Sequence, residues 1–262
     1  MDENEKKVYP IDQSDGGCDC VPKCKQAHPW KKQIETIEIK EQDAISDSGA
    51  EVWSLLEQRG IENVMLLGVH TNMCVSGRPF GLRNLSRNGK NVVLVRDLID
   101  TMYNSQSKPY VNHFTGTDLI VEHIEKYICP TITSDVLTGK KPFRFANDKR
   151  TRIVFLSAES EYKAAETLPI FANYLETKFD HHCSILQGSY SRKGGDRNEI
   201  TGMKVLEDAD LLIVFARRRA FPAEQMKYLH AYLDRGKPLI GLRTASHAFD
   251  AKGKHPEGHV EW

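Results

Sequence analysis

Cys74 is the residue whose setting bears most directly on chemistry. It closes the stretch VMLLGVHTNMC (64–74), where an apolar run leads into a short polar turn. In an open α/β sheet, sites lie beyond the carboxyl ends of the strands. Unpaired N–H groups at a helix start lower the pKa of a thiol and can also hold a developing oxyanion. The position therefore offers a nucleophile and its electrostatic support together. The plain alternative is a small buried hydrophobe, as free cysteines often are. A second cluster, Cys18, Cys20, Cys24 and His28, has the spacing C-x-C-x3-C-x3-H. Thiolates and imidazole can bind Zn²⁺, but this spacing matches the usual structural pairs only in part. It reads as a Gly/Pro-rich loop with incidental cysteines, so neither a metal nor a cofactor is expected.

Other polar residues flank Cys74. His70 lies in the turn itself, and Asn72 and Arg78 are substrate-side candidates. Arg78 can grip a carboxylate with two parallel bonds or join a surface salt bridge. His113 is a further candidate, whereas His123 has apolar helical neighbours and reads as structural. Trp30 reads as a core residue.

The elements that position these residues follow from pattern. Residues 1–35 are polar and irregular, with Gly16-Gly17 and prolines at 10, 22 and 29, and read as loop. Ile37-Glu38-Ile39 alternates and predicts a short strand ending at Lys40. Ser48 predicts an N-cap, with a helix running to Arg59 and stopped by Gly60. Asn63–Val69 and Asn91–Val95 read as strands buried on both faces. One helix is expected from Cys74 to just before Asn88-Gly89, with Pro79 tolerated early in it. Thr115 or Thr117 opens another helix, and Thr131–Thr133 reads as an edge strand. The basic stretch 136–151 reads as an interdomain linker. The alternation then restarts, with strands at Ile153–Leu156, Ser184–Leu186, Leu211–Phe215 and Leu239–Leu242. Helices are expected over Glu161–Phe179, Thr201–Glu207 and from Pro222 to Arg235-Gly236. The stretch SYSRKGGDRNE (189–199) reads as a loop. The expected fold is two three-layer α/β units with mainly parallel sheets: 1–135, a linker 136–151, and 152–262.

Composition narrows the function classes. Lys+Arg and Asp+Glu are both 36 in 262 residues, so the formal net charge is zero. Nucleic-acid and anionic-membrane binders use excess positive charge, so neither partner is expected. No apolar run is long enough to span a bilayer. The start MDENEKK has no apolar core and does not read as a signal peptide. Six cysteines in 262 residues are too few for a disulfide scaffold, and Cys74, Cys129 and Cys183 are scattered, which suits a reducing, cytoplasmic setting.

The motif GVHTNMCV resembles the nucleophile motif of the isochorismatase-like cysteine hydrolases. The resemblance extends to IEIKEQDAISDSGAEVWSLLEQRGIENVMLLGV and NGKNVVLVRDLIDTMY, covering roughly 34–135. It implies hydrolysis of a small-molecule amide, or a related C–N or vinyl-ether bond, by a Cys–Lys–Asp triad. Cys74 matches the nucleophile and Lys40 the lysine that supports its thiolate. A cis Val69–His70 peptide is implied, with the backbone amides of His70 and Cys74 as the oxyanion hole, and so is a homo-oligomer. The family's Asp ends a first strand that is not matched before residue 30. Asp12, in Ile11-Asp12-Gln13, is a weak stand-in, and the domain's first strands are expected to lie outside this chain.

The second half, through RIVFLSAESEY and DADLLIVFARRRAFPAEQMKYLHAYLDRGKPLIGLRTASHAF, is similar to the ThuA-like (trehalose-utilisation) family of the class I glutamine amidotransferase-like fold. That implies a flavodoxin-type domain linked to carbohydrate metabolism, here C-terminally incomplete. No cysteine stands in the turn 241–247, which removes amidotransferase thiol chemistry. Ser246 and His247 are adjacent, which argues against a nucleophile–base pair. The competing reading of the whole chain is a non-catalytic, carbohydrate-linked binding or scaffold module.

Overall fold

A computed structural model describes residues 3–24, 31–189 and 197–262. The chain divides into two compact units, Met1–Asp148 and Lys149–Trp262. Both are α/β with parallel sheets, the fold class expected from the alternation of patterns.

Unit 1 holds a three-stranded sheet of order β1-β2-β3, with β1 Asn63–Val69, β2 Asn91–Asp100 and β3 Thr131–Ile132. Both pairings are parallel. The helices are α1 Glu3–Lys7, α2 Gly49–Gln58, α3 Leu82–Arg87, α4 His113–Tyr127 and α5 Asp135–Thr138. Ser48 caps α2 by accepting from the Glu51 N–H, and Gly60 follows its end at φ +61°. Asn112 caps α4 by accepting from the Thr115 N–H. The core joins Leu82 and Leu85 of α3, Val92, Leu94 and Ile99 of β2, and Leu119, Ile120 and Ile124 of α4.

Four expectations are corrected here. Ile37–Ile39 is not a strand; residues 31–48 are exposed irregular chain with turns, and Lys40 lies among them. Residues 1–35 are not all loop, because α1 forms and inserts Glu5 into the protein interior. The single helix from Cys74 is split into a π-helical turn, Thr71–Val75, and α3. Pro79 has no N–H to continue the ladder, and Gly81 closes the break by donating to the Arg78 carbonyl at 2.8 Å. A Cβ on Gly81 would lie 2.7 Å from the Val75 carbonyl oxygen, so the crossing requires glycine. Finally, β1 is not buried on both faces. It is an edge strand on which Met65, Leu67 and Val69 are each more than half exposed.

Unit 2 holds a four-stranded parallel sheet of order β5-β4-β6-β8. The strands are β4 Arg152–Ala158, β5 His182–Gln187, β6 Leu211–Ala216 and β8 Leu239–Gly241. A small antiparallel pair joins β7 Phe221–Pro222 to β9 His259–Val260. One face of the main sheet buries Ile153, Phe155, Ile213 and Phe215 against Ala164, Leu168 and Ala172 of α6, Ala164–Phe179. The other buries Val154, Leu156, Leu212 and Val214 against Met226, Leu229 and Tyr232 of α7, Ala223–Asp234. Three layers result, as two-sided apolar strands require. The expected Leu239–Leu242 strand forms as β8, but at the sheet edge and exposed.

Part of the stretch read as a linker belongs to unit 1. The Phe143 N–H donates to Asp97 Oδ2 at 2.7 Å, and the Phe145 ring lies against those of Phe143 and Phe114.

Candidate functional site

The site of interest forms where β1 and β2 end together. Their register slips, so that Leu66 pairs with Leu94 but Gly68 with Ile99 and Val69 with Asp100. Gly68, at φ +108°, takes a conformation few other residues adopt. The Val69–His70 peptide is cis, as the resemblance implies. The chain then winds through Thr71–Val75. Thr71 Oγ1 donates to the Asp100 carbonyl at 2.8 Å. The Asn72 amide donates to the Met102 carbonyl at 2.9 Å and accepts from the Met102 N–H at 3.0 Å. Ser76 Oγ donates to the Thr71 carbonyl. Two polar side chains, Thr71 and Asn72, thus fasten the turn onto the end of β2, and Ser76 braces it from within.

Cys74 stands on this fastened turn as an exposed free thiol. Cys129, by contrast, is buried in the core, and burial pushes its thiol up to about 11. The Arg78 N–H donates to the Cys74 carbonyl, so the two residues stand one helical turn apart on one face. The Arg78 side chain is exposed and makes no salt bridge among the described residues. Asn72 is buried and both ends of its amide are used, so it supports the turn rather than facing a substrate.

Asp100 and His113 form a pair that sequence reasoning did not assemble. His113 Nε2 lies 2.7 Å from Asp100 Oδ1, and its Nδ1 lies 3.3 Å from the Tyr103 carbonyl. Both ring nitrogens thus face acceptors, which suits the imidazolium. The Asp100 hydrogen bond holds the His113 pKa above its ordinary value, against a smaller opposing effect of burial. Burial works to raise the Asp100 carboxyl, but the His113 hydrogen bond and charge, with help from the Thr101 N–H and His70, leave it below the ordinary carboxylate range. The available signal was the pair of facts that Asp100 ends a strand and His113 opens a helix.

The remaining candidates fall elsewhere. The Lys40 N–H donates to Asp43 Oδ2 in an exposed turn, and no hydrogen bond or ion pair joins Lys40 to Cys74 among the described residues. Asp12 is exposed and caps its own turn through the Ser14 N–H, the chief cause of its lowered pKa. His123 is structural, as expected: buried, with Nε2 3.0 Å from Glu5 Oε1. Glu5 also accepts from Arg83 Nε, through both carboxylate oxygens, and from Arg83 Nη2. Burial works to raise the Glu5 carboxyl, but the bonds from Arg83 and His123 hold it below its usual range. His28 and Trp30 lie outside the described residues, as does most of the loop 189–199. Cys18, Cys20 and Cys24 are described, and their sulfurs converge within 4.8 Å of one another. The Cys20 N–H and thiol, and then those of Cys24, lower the Cys18 pKa; hydrogen bonds with Cys24 and Cys18 push Cys20 up to about 11.

In unit 2, strand order reverses between β4 and β6, where crevices open beyond carboxyl ends. Glu159 is buried there, accepting from the Glu161 N–H and from Thr244 Oγ1. Arg219 is buried too, donating to the carbonyls of Ala158, Ser189 and Arg197. Ser246 Oγ lies 2.8 Å from His247 Nδ1, so adjacency does not prevent their bonding, contrary to expectation. No acid orients His247 among the described residues, and a serine triad is not assembled.

Fold and site together define an α/β protein that presents a fastened, exposed thiol at the carboxyl end of a parallel strand. No family profile matches the chain, and neither curated proteins nor solved structures yield a significant match.

Proposed function

We propose that unit 1 is a cysteine hydrolase of the isochorismatase-like kind, acting on an amide or related C–N or vinyl-ether bond of a small molecule. The observation that carries this reading is Cys74 itself, exposed on a turn fastened by Thr71, Asn72 and Ser76. In this reading the Cys74 thiolate attacks the substrate carbonyl carbon and the amides of His70 and Cys74 hold the oxyanion. The C–N bond breaks, a thioester forms, and the amine leaves with a proton from solvent, equal to the one the thiol released on ionising. Water then cleaves the thioester to a carboxylic acid and restores the thiol. Arg78, one turn from Cys74, orients a substrate carboxylate. Asp12 is not assigned the proton transfer, because its carboxylate caps its own turn. The carbohydrate-related role of unit 2, a homo-oligomeric state and a cytoplasmic setting belong to the same proposal. No helix among the described residues is long and apolar enough to cross a membrane.

A second reading, a carbohydrate-linked binding or scaffold module, draws on the absence of any bond from Lys40 or Asp12 to Cys74 among the described residues. One experiment separates the two. Alkylation of the reduced chain is followed peptide by peptide across pH, and a panel of small amides is screened with wild type and Cys74→Ala. The hydrolase reading expects Cys74 to be alkylated faster than the other cysteines, while Cys129 stays protected. It also expects Cys74→Ala to lower kcat/KM on the order of 10³-fold or more. An inert Cys74, with sugar binding that survives Cys74→Ala, overturns it in favour of the second reading.

A further inference from the structure

Three thiols outside the Cys74 site remain without a role. Cys18, Cys20 and Cys24 are free, and their three Sγ atoms all lie within 4.8 Å of one another. Cys20 and Cys24 are exposed and Cys18 is half-buried. The chain leading into them is pinned. Asp15 Oδ2 accepts from Asn104 Nδ2 at 2.7 Å and from Ser107 Oγ at 2.9 Å, while its Oδ1 accepts from the Gly17 N–H at 2.7 Å. Gly16 and Gly17 both have positive φ, and a Cβ on Gly17 would lie 2.4 Å from the Met102 carbonyl oxygen. The cysteine loop is therefore pressed onto the same Met102 that Asn72 clasps.

We propose that Cys18, Cys20 and Cys24 form a three-thiolate binding site for Zn²⁺. Thiolates are soft ligands that select zinc over magnesium or calcium. Zn–S bonds of about 2.3 Å at a tetrahedral angle set sulfurs roughly 3.8 Å apart. Sulfurs already within 4.8 Å of one another reach that spacing by short side-chain shifts. On binding, three S–H protons pass to solvent and three Zn–S bonds form, leaving a centre of charge −1 with one coordination position for water or an added ligand. No electron is transferred. The site is independent of the chemistry assigned to Cys74.

The test uses the full chain, reduced and freed of metal. Co²⁺ is titrated first as the spectroscopic probe and then displaced with Zn²⁺. The expected result is one ion per chain, a thiolate-to-cobalt charge-transfer band, and release of about three protons per zinc at a pH below the thiol pKa values. Cys18→Ser, Cys20→Ser or Cys24→Ser each weakens zinc binding by more than the roughly 10–100-fold that loss of an outer-shell partner costs. Cys74→Ser leaves it unchanged. A measurement that needs no variant is protection from alkylation: one equivalent of Zn²⁺ shields the Cys18, Cys20 and Cys24 peptides together and leaves Cys74 as it was. Absence of the charge-transfer band overturns the proposal. So does shielding of Cys74 alone, or disulfide formation within the cluster in a chain that binds no zinc when reduced.

Discussion

Strands β1 and β4 carry similar apolar runs, Val64–Leu67 and Ile153–Leu156, yet they have opposite surroundings. The β4 strand is central, hydrogen-bonded to β5 on one side and β6 on the other, with a helical layer on each face. Phe155 and Leu156 have no exposed surface. Among the described residues the β1 strand is an edge strand paired only with β2, and its outward residues remain in water. Unit 2 is held by two apolar faces. Unit 1 has one apolar face and adds polar fasteners: Glu5 with Arg83 and His123, Thr71 and Asn72 on the end of β2, and Asp97 gathering the Ser134 and Phe143 amides. Polar fasteners fix geometry with direction, which suits a turn that must hold a thiol in place. Apolar layers are non-directional and supply bulk stability.

That contrast breaks most directly at the two strands themselves. Phe155→Ala is expected to cost about 3–5 kcal/mol, read by urea denaturation. Leu67→Ala is expected to cost less than about 1 kcal/mol, since more than half of that side chain is already in water. Equal costs would mean that β1 is covered on both faces after all. The next effect concerns the buried ion cluster of unit 1. Glu5→Gln leaves Arg83 and His123 without their carboxylate, and the expected loss is about 3 kcal/mol. A loss comparable to that of an exposed pair would remove polar fastening from the account of unit 1.

The smallest effect sharpens the comparison through pH. His113 is held above its ordinary pKa, so its contribution is complete below about pH 6.5 and is lost as pH rises through the raised value. Asp100 is held below its ordinary pKa, so its contribution is complete above about pH 3.9 and is lost as pH falls through the lowered value. The pair therefore stabilises unit 1 most between those limits. Both side chains are more than a third exposed, so the effect stays below about 1 kcal/mol after solvent screening. Glu159, at the matching strand end of unit 2, is bonded to an amide and a hydroxyl. Melting temperature against pH for wild type and His113→Gln checks this: the curves should converge as pH rises past the histidine and differ below it. Curves that stay parallel across neutral pH would discard the pair as a source of pH dependence.

Local signals in the sequence proved reliable where the deciding physics is local. Ser48 and Gly60 bound a helix because capping bonds and positive φ involve neighbouring residues only. Pro222 starts α7 for the same reason. Ile37–Ile39 misled, because three alternating residues satisfy a strand pattern but do not supply a partner strand. The apolar run of β1 misled differently: composition does not say whether a strand lies at the centre or the edge of its sheet. Glu5 was illegible in a polar start of the chain, since its partners lie 78 and 118 residues away.

The sequence by itself determined the alternation of strands and helices, the α/β class of both units and the turn on which Cys74 stands. Each rests on hydrophobic period, glycine conformation and capping, which act over a few residues. Only the tertiary structure decided that Asp100 meets His113, that Lys40 sits in an exposed turn, that Ser246 bonds His247, and that three cysteines spread over seven positions bring their sulfurs together. Those outcomes depend on which chain segments pack against one another, and packing is settled by the whole core rather than by any one stretch of it.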